Sequence, residues 1–413
     1  SVRPHPLTRV ATFLFFSGAC ALVYQVAWFR ELRLVFGGST SASSAVLAVF
    51  MAGLGAGGFY FGRRVDRAAS ALSVYAHLEL AVSVLAAASP LLVTLARMVY
   101  VGLGGVATLG VGGATVVRLL LTLLVLGPPT FAMGGTMPAA ARAVERASSA
   151  GRQRVGLLYG VNTIGAVAGT VAANFLLLEV FGTRMTLWLV CLVNALVGVI
   201  ARAVARRTTE DATEAADADD VETAPAPDEA SAAPWFPPVA AGASGLAFMV
   251  MELVWYRMLA PLLGGTTYTF GLILAVALAG IGLGGALYSR RRRPATLPLF
   301  ALTCLLEALA IAIPFALGDR IAVLALLLSP LAHSSFVAGV ATWAVITSIV
   351  VLPAAVISGF QFPAVIGLYG RGKKDVGSHV GRAYLANTIG SIAGAIAAGF
   401  GLLPLLGAVR CWT

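Results

Sequence analysis

Acidic side chains inside apolar sequence are the residues of this chain best placed to do chemistry. Nine of the 18 Asp and Glu residues lie in one polar segment, whereas Glu79, Glu252 and Glu307 lie inside long apolar runs. A charged side chain at the centre of a membrane helix costs about 2.5–3.5 kcal/mol on insertion scales, so it usually faces a cavity or a partner. We therefore predict that these three residues bind a cation or a proton. The alternative is an internal ion pair with Arg30 or Arg257, although Glu252 and Arg257 lack the i,i+4 spacing of a helical pair.

Apolar runs recur along the whole chain and must position these acids. Of the 413 residues, 59% are hydrophobic and only 11% are charged, whereas a soluble protein carries roughly 25% charged residues. About 20 apolar residues are enough to cross a bilayer as a helix. We predict an all-α polytopic membrane protein with spans near 10–32, 41–62, 71–96, 114–141, 155–181, 185–205, 238–260, 267–289, 297–317, 337–368 and 380–407. The apolar stretches 97–114 and 320–336 are either re-entrant or interfacial segments or extensions of their neighbouring helices.

Basic residues at the ends of these spans predict the orientation of the chain. Alternating spans place 20 of the 28 Lys and Arg residues on one side. They are Arg3, Arg9, Arg63, Arg64, Arg67, Arg142, Arg146, Arg152, Arg154, Arg202, Arg206, Arg207, Arg290, Arg291, Arg292, Arg293, Arg371, Lys373, Lys374 and Arg382. Because cytoplasmic loops carry the excess of Lys and Arg, we expect the N-terminus in the cytoplasm. Topology thus accounts for the net charge of +10, and we expect no nucleic-acid partner.

A polar segment divides the apolar sequence into two parts. Residues 208–235 are rich in Ala, Pro and acid and too poor in bulky apolar residues to pack a core, so we predict a disordered acidic cytoplasmic linker. It separates a first membrane half, 1–207, from a second, 236–413.

The two halves are copies of each other. Residues 17–64 align without a gap on 244–291 with 19 identities, and 155–182 align on 380–407 with 15 identities. The alignment pairs Glu79 with Glu307, Arg30 with Arg257 and Gln25 with Glu252, and we call such pairs repeat mates. Gln25 therefore joins Glu252 as a candidate for the cation or proton site.

Six spans precede the second copy, so the two copies run parallel. Parallel repeats are related by an axis along the membrane normal, as in two-halved secondary transporters. The same logic calls for a sixth span in the second half. The chain reaches only Thr413, where Trp412 matches Trp188 near the start of the sixth span, so this last helix is expected to be missing.

A tyrosine and an asparagine recur in the motif YxxNTIGxxxG of both halves. Tyr159 and Asn162 share a helix face, as do Tyr384 and Asn387. The glycines that follow allow two helix backbones to approach closely, and Asn can hydrogen-bond across such a contact. We interpret these residues either as helix-packing contacts or as the polar lining of a cavity.

Several stretches resemble a known bacterial family. SGACALVYQVAWFREL, the Gly-rich end of the second span with its Arg pair, and YxxNTIGxxAGxxxAxFLLL are similar to the membrane part of fused spermidine-synthase-like proteins. The resemblance implies a major-facilitator-like bundle in the bacterial inner membrane, followed by a cytoplasmic aminopropyltransferase domain. No GGGDG-type motif of that domain occurs in this chain, so aminopropyl transfer is not carried over to it. GRRVDR at 62–67 also resembles, in a different residue order, the major-facilitator loop after the second helix.

Three functions follow from these patterns. The first is a transporter moving polyamines or related small cationic amines across the lipid bilayer and linked to a synthase-like domain. The second is a non-transporting anchor or scaffold for such a domain or for other membrane subunits. The third, an enzyme within the bundle, lacks any catalytic motif. We expect no cofactor and no metal site, because the four Cys and four His residues are scattered.

Overall fold

The structure is a computed structural model that describes residues 6–36, 40–146, 151–214, 232–263, 267–291, 293, 295–369 and 376–412. This part of the chain forms fourteen α-helices. The first half contains α1 (Pro6–Phe36), α2 (Thr40–Arg67), α3 (Ala71–Gly102), α4 (Gly105–Gly134), α5 (Thr136–Arg146), α6 (Gly151–Ala172) and α7 (Leu178–Glu214). The second half contains α8 (Phe236–Leu259), α9 (Thr267–Ser289), α10 (Leu297–Leu317), α11 (Asp319–Ala332), α12 (Phe336–Gly367), α13 (Val376–Ile396) and α14 (Leu403–Trp412). Short π-helical segments, Ala173–Leu177 and Ala397–Leu402, join α6 to α7 and α13 to α14.

Most of these helices are long and apolar enough to cross a membrane. Nine segments of the described residues pass that test, and a bent pair, Val376–Gly399 with Leu403–Trp412, makes a tenth. One of the nine, Val155–Arg207, has 53 residues, which would be about 80 Å of helix against a hydrocarbon core of about 30 Å. Its backbone breaks at Gly182, where φ is 67°, so it supplies two crossings. The expected polytopic membrane protein is confirmed.

The boundaries differ from the expected spans in three places. The predicted span 114–141 is divided at Gly135 into α4 and α5. Residues 97–114 are helical except for a turn at Gly104, with a further bend at Gly110, and most of 320–336 belongs to α11. α7 continues to Glu214 and so includes the first residues of the predicted linker, while residues 215–231 lie outside the described part of the chain.

The two halves are built from equivalent helix pairs. In the first half α1 packs on α6 and α2 on α4, and in the second half α8 packs on α13 and α9 on α12. The mates Trp28 and Trp255 are fully buried in the core of their respective halves. Contact between the halves is made chiefly by two helix pairs, α2 with α13 and α6 with α9.

The repeat extends to irregular backbone. The helix breaks at Gly182 and Gly407 are repeat mates, and both glycines have φ near +70° with an extended ψ. Only glycine adopts this conformation readily, since it has no Cβ. The two π-helical segments also lie at equivalent positions. Two parallel copies of one design therefore form the molecule.

Opposite ends of the bundle differ in charge. Arg64, Arg146 and Arg290 lie where α2, α5 and α9 end, and Arg206 lies in the last third of α7; we call this end the basic side. The other end is called the opposite side.

Candidate functional site

Glycines on the basic side bring the two halves into backbone contact. A Cβ added to Gly381 of α13 would collide with the carbonyl oxygen of Gly58 on α2. At the mate position in the other helix pair, a Cβ added to Gly285 of α9 would meet the carbonyl oxygen of Gly156 on α6 at 3.0 Å. We call these two contacts the glycine seams. They close the basic side of the space between the halves.

One carboxylate reinforces the α2–α13 seam. The two carboxylate oxygens of Asp66, near the end of α2, accept hydrogen bonds from the backbone N–H groups of Gly377 (2.9 Å) and Ser378 (2.7 Å). These are among the free N–H groups at the start of α13, where the helix dipole favours a negative charge. Arg142 of α5 lies 3.6 Å from the same carboxylate, which is only 7% exposed. We call this arrangement the Asp66 clamp, and it joins the two halves through a buried charge.

A small cavity lies among helices of the second half, where Tyr159 of the first half contributes to its wall. Its volume is about 60 Å³, which holds a few water molecules but no drug-sized ligand. Side chains and backbone from α6, α8, α9, α12 and α13 line it, among them Tyr159, Ser244, Phe248, Phe362, Asn387 and Ser391. On the opposite side the halves meet again, where the Phe175 and Phe336 rings lie 6.5 Å apart. Inter-half contacts are thus present both at the basic side and at the opposite side.

The residues of the YxxNTIG motif both pack helices and line this cavity. A Cβ added to Gly18 of α1 would collide with the backbone carbonyl of Asn162, and one added to its mate Gly245 of α8 would collide with that of Asn387. Asn387 also lines the cavity, as does Tyr159. The two interpretations of the motif are thus compatible.

The two tyrosines of the motif stand against one aromatic ring. The Phe362 ring lies 4.9 Å from that of Tyr159 and 5.8 Å, edge to face, from that of Tyr384. Tyr159 belongs to the first half, and the other two rings belong to the second. The cavity floor is therefore an aromatic contact between the halves.

Gln25 and Glu252 occupy equivalent faces of α1 and α8. On α8 the cavity-lining residues Ala241, Gly245 and Phe248 follow at helical spacing, and Glu252 continues this stripe one turn further. Glu252 is partly exposed. The helix face thus directs an acid toward the space above the cavity.

Arginine does not neutralise this acid within the part of the chain that the structure describes. Arg30 and Arg257 are exposed, and no ion pair joins either of them to Glu252 there. Both arginines lie near the outer ends of α1 and α8, beyond Gln25 and Glu252 along their helices.

Glu79 is buried inside the first half, away from the cavity. It is 1% exposed and lies near Ser17, Tyr75 and Asn194, whose side-chain amide donates to the Glu79 backbone carbonyl at 2.7 Å. One carboxyl oxygen, Oε1, has no hydrogen-bond partner among the described residues.

Glu307, the mate of Glu79, is connected to the cavity wall instead. Its Oε2 accepts a hydrogen bond of 2.8 Å from Nε2 of Gln361 on α12. The Oε1 of that amide faces the hydroxyl of Ser244 on α8, which donates to it at 3.4 Å. Because Ser244 lines the cavity, the chain of contacts runs from the cavity to the acid.

Sequence reasoning missed Asp66, Gln361 and Ser244. Only Asp66 lies in a recognisable pattern, the sequence GRRVDR. A single amide or serine in an apolar helix, such as Gln361 or Ser244, has no sequence pattern that indicates a function. Among the described residues no group of three or more His, Cys, Asp or Glu side chains could hold a metal ion.

Known proteins resemble this chain in structure but not in sequence. No protein-family model and no curated protein matches it. A bacterial homologue of the iron transporter ferroportin, in an outward-facing state with soaked iron, has a TM-score of 0.61 at 13% identity, over 98% of this chain and 96% of that one. The major facilitator superfamily transporter FucP, in the outward conformation, has a TM-score of 0.52 at 15% identity, over 98% and 94%. The chain has the major facilitator fold. The proton:xylose symporter XylE gives the same TM-score of 0.52 at 13% identity, over 98% and 93%.

Proposed function

We propose that this protein is a secondary transporter of small organic cations, with polyamines as the first substrates to test. The observation that carries the proposal is the cavity where Tyr159 of the first half meets α8, α9, α12 and α13 of the second, with Glu252 one helical turn beyond the α8 residues that line it. Aromatic rings and one carboxylate suit an amine, since a cation is attracted both by the ring faces and by the charge.

The size of the cavity requires the halves to move. A space of about 60 Å³ cannot admit a polyamine, so substrate enters only after one of the inter-half contacts separates. The glycine seams and the Asp66 clamp close the basic side. We place this side at the cytoplasmic face of the inner membrane. Separation of these contacts would open the cavity to the cytoplasm. The contacts at Phe175 and Phe336 would then govern access from outside.

Uptake of labelled spermidine into proteoliposomes tests this function. We expect saturable uptake driven by an ion gradient, and at least a tenfold loss of uptake in Glu252→Gln. Glu179→Gln removes an exposed acid of α7 at the opposite side and should leave uptake unchanged. Absence of saturable spermidine uptake under every ion gradient would refute the polyamine assignment. Equal uptake by wild type and Glu252→Gln would refute the role of Glu252.

An anchor for a synthase-like domain is the second candidate function, and the resemblance in sequence to fused spermidine-synthase-like proteins favours it. An anchor needs no moving cavity. Locking the opposite side with a cross-link between cysteines introduced at Phe175 and Phe336, whose rings lie 6.5 Å apart, would then leave the cellular activity of the attached or associated synthase unchanged. Loss of spermidine uptake on cross-linking would favour the transporter.

A further inference from the structure

Glu307 has a polar contact that its mate Glu79 lacks, and one residue, Gln361, supplies it. The mate of Gln361 in the first half is Thr136, whose hydroxyl donates to the carbonyl of Met133 at the end of the preceding helix, α4, at 2.8 Å. Thr136 therefore does not connect Glu79 to the cavity. In the second half the longer amide of Gln361, itself 1% exposed, spans the distance between Glu307 and Ser244.

The hydrogen-bond roles of these three groups depend on one proton. An ionised carboxylate is only an acceptor, so the Gln361 amide must present its N–H₂ to Glu307 and its oxygen to Ser244. Ser244 then uses its proton toward Gln361 and offers only lone pairs to the cavity. The observed contacts have this arrangement.

Protonation of Glu307 permits the reverse arrangement, because the acid then has a proton to donate. A carboxylic acid can donate its O–H to the amide oxygen, which requires the Gln361 amide to turn over. The N–H₂ group then faces the Ser244 oxygen, and the serine proton is free to point into the cavity. A single proton at Glu307 thus changes Ser244 from an acceptor into a donor toward any bound ligand.

Charged neighbours do not fix the ionisation of Glu307 in this structure. The ionisable side chains on the elements around it are Cys304 on α10, Glu252, Tyr256 and Arg257 on α8, Asp319 and Arg320 on α11, and Arg410 and Cys411 on α14, while α12 has none. Cys304 is the nearest of these, since its sulfur lies 3.8 Å from the Gln361 nitrogen that Glu307 also binds. None of these groups forms an ion pair with Glu307 in the described residues.

We propose that Glu307 is a proton-binding site that controls ligand binding in the central cavity through the Gln361 amide and Ser244. The proposal rests on the transporter function and adds the coupling ion and its path to the substrate site. An ammonium ligand donates hydrogen bonds, so it prefers the state in which Ser244 accepts and Glu307 is ionised. Binding of such a ligand therefore releases the Glu307 proton, and the affinity for the ligand rises with pH.

Infrared difference spectroscopy of the purified protein tests the relay without any ligand. A pH step should change a carboxylic-acid band that is absent in Glu307→Gln, together with a side-chain amide band that is absent in Gln361→Leu. Glu79→Gln, the matched control in the half without a bridging amide, should keep both bands. A carboxylic-acid band unaffected by Glu307→Gln, or a pH step that leaves the Gln361 amide band unchanged, would overturn the proposal. Gln361→Met repeats the measurement if Gln361→Leu does not fold.

Spermidine binding across pH tests the control of the cavity. We expect the wild-type affinity to rise up to tenfold per pH unit through the titration of Glu307, the limit for one linked proton. Gln361→Leu retains Glu252 and Glu307, but its change in spermidine affinity per pH unit should be at least threefold smaller than that of wild type. Equal pH dependence in wild type and Gln361→Leu would contradict the coupling. Failure of spermidine to bind at all would refute the polyamine assignment, while the infrared result would stand independently.

Discussion

Replacement of Asp66 by Asn should open the basic side of the protein. The Asp66 carboxylate binds two N–H groups at the start of α13, so it holds the first half against the second. Asn retains one acceptor oxygen and the size of the side chain but loses the charge and presents an N–H₂ group to a helix N-terminus. The change therefore weakens the contact without removing packing.

The size of the effect follows from the contacts that are lost. One hydrogen bond to a charged group contributes about 1.5–3 kcal/mol, and a charge at a helix N-terminus contributes about 0.3–1 kcal/mol. Together they give about 2–4 kcal/mol in favour of the closed basic side. Since about 1.4 kcal/mol corresponds to a factor of ten, the ratio of open to closed molecules should rise roughly 30- to 700-fold.

Thiol labelling of a cavity position measures this ratio even when the open state is rare. Ser358 lines the cavity, and Ser358→Cys in a background without the four native cysteines provides the probe. In inside-out vesicles a membrane-impermeant maleimide reaches the probe only while the basic side is open, so the labelling rate follows the open population. Asp66→Asn should raise that rate at least tenfold.

The control is another acid at a helix N-terminus, one for which the described residues show no contact between the halves. Asp319 stands in the first turn of α11 and is exposed. Asp319→Asn should leave the labelling rate within a factor of two. A rise of less than threefold in Asp66→Asn, or an equal rise in both variants, would refute the clamp as the contact that closes the basic side.

Three further substitutions test the seams and the helix packing. Gly381→Leu places a side chain against the Gly58 carbonyl and should raise Ser358→Cys labelling more than Asp66→Asn does. Gly102→Leu, at a position with open space, should have no effect on that labelling. Gly18→Val overpacks the contact with Asn162 and should lower stability by about 1–3 kcal/mol, measured as a lower midpoint of thermal unfolding in detergent. A midpoint equal to wild type would show that α1 and α6 can separate without cost.

The sequence allowed the architecture to be predicted because it carries the same information twice. Each weak signal, such as a glycine after an apolar run, gains meaning when its mate shows it too. The expected ends of the spans at 181 and 407 fall within one residue of the breaks at Gly182 and Gly407. The break at Gly135 was missed because one more glycine in a Gly-rich run gives no signal. Its φ of −78° is a helical value that any residue adopts, so the position does not require glycine.

Contacts between the halves could not be predicted from the repeat. Asp66 and Gly377 are 311 residues apart, and no pattern in one sequence shows that the end of α2 meets the start of α13. The mate of Asp66 is Arg293, so the clamp has no internal counterpart that would have drawn attention to it. Gln361 escaped notice for the same reason, since it aligns with a threonine.

The repeat mates that differ give the central cavity a direction parallel to the membrane plane. Gln25 on α1 corresponds to Glu252 on α8, and Thr136 corresponds to Gln361, so the proposed charge and proton chemistry fall in the second half. Under the proposed function, an elongated amine would be held with an ammonium group toward α8 and its uncharged part toward Tyr159 of α6. Amines with a charged group at each end would then bind no more tightly than amines with a charged group at one end. The protein should therefore distinguish amines by their single best-placed charge and not by their length.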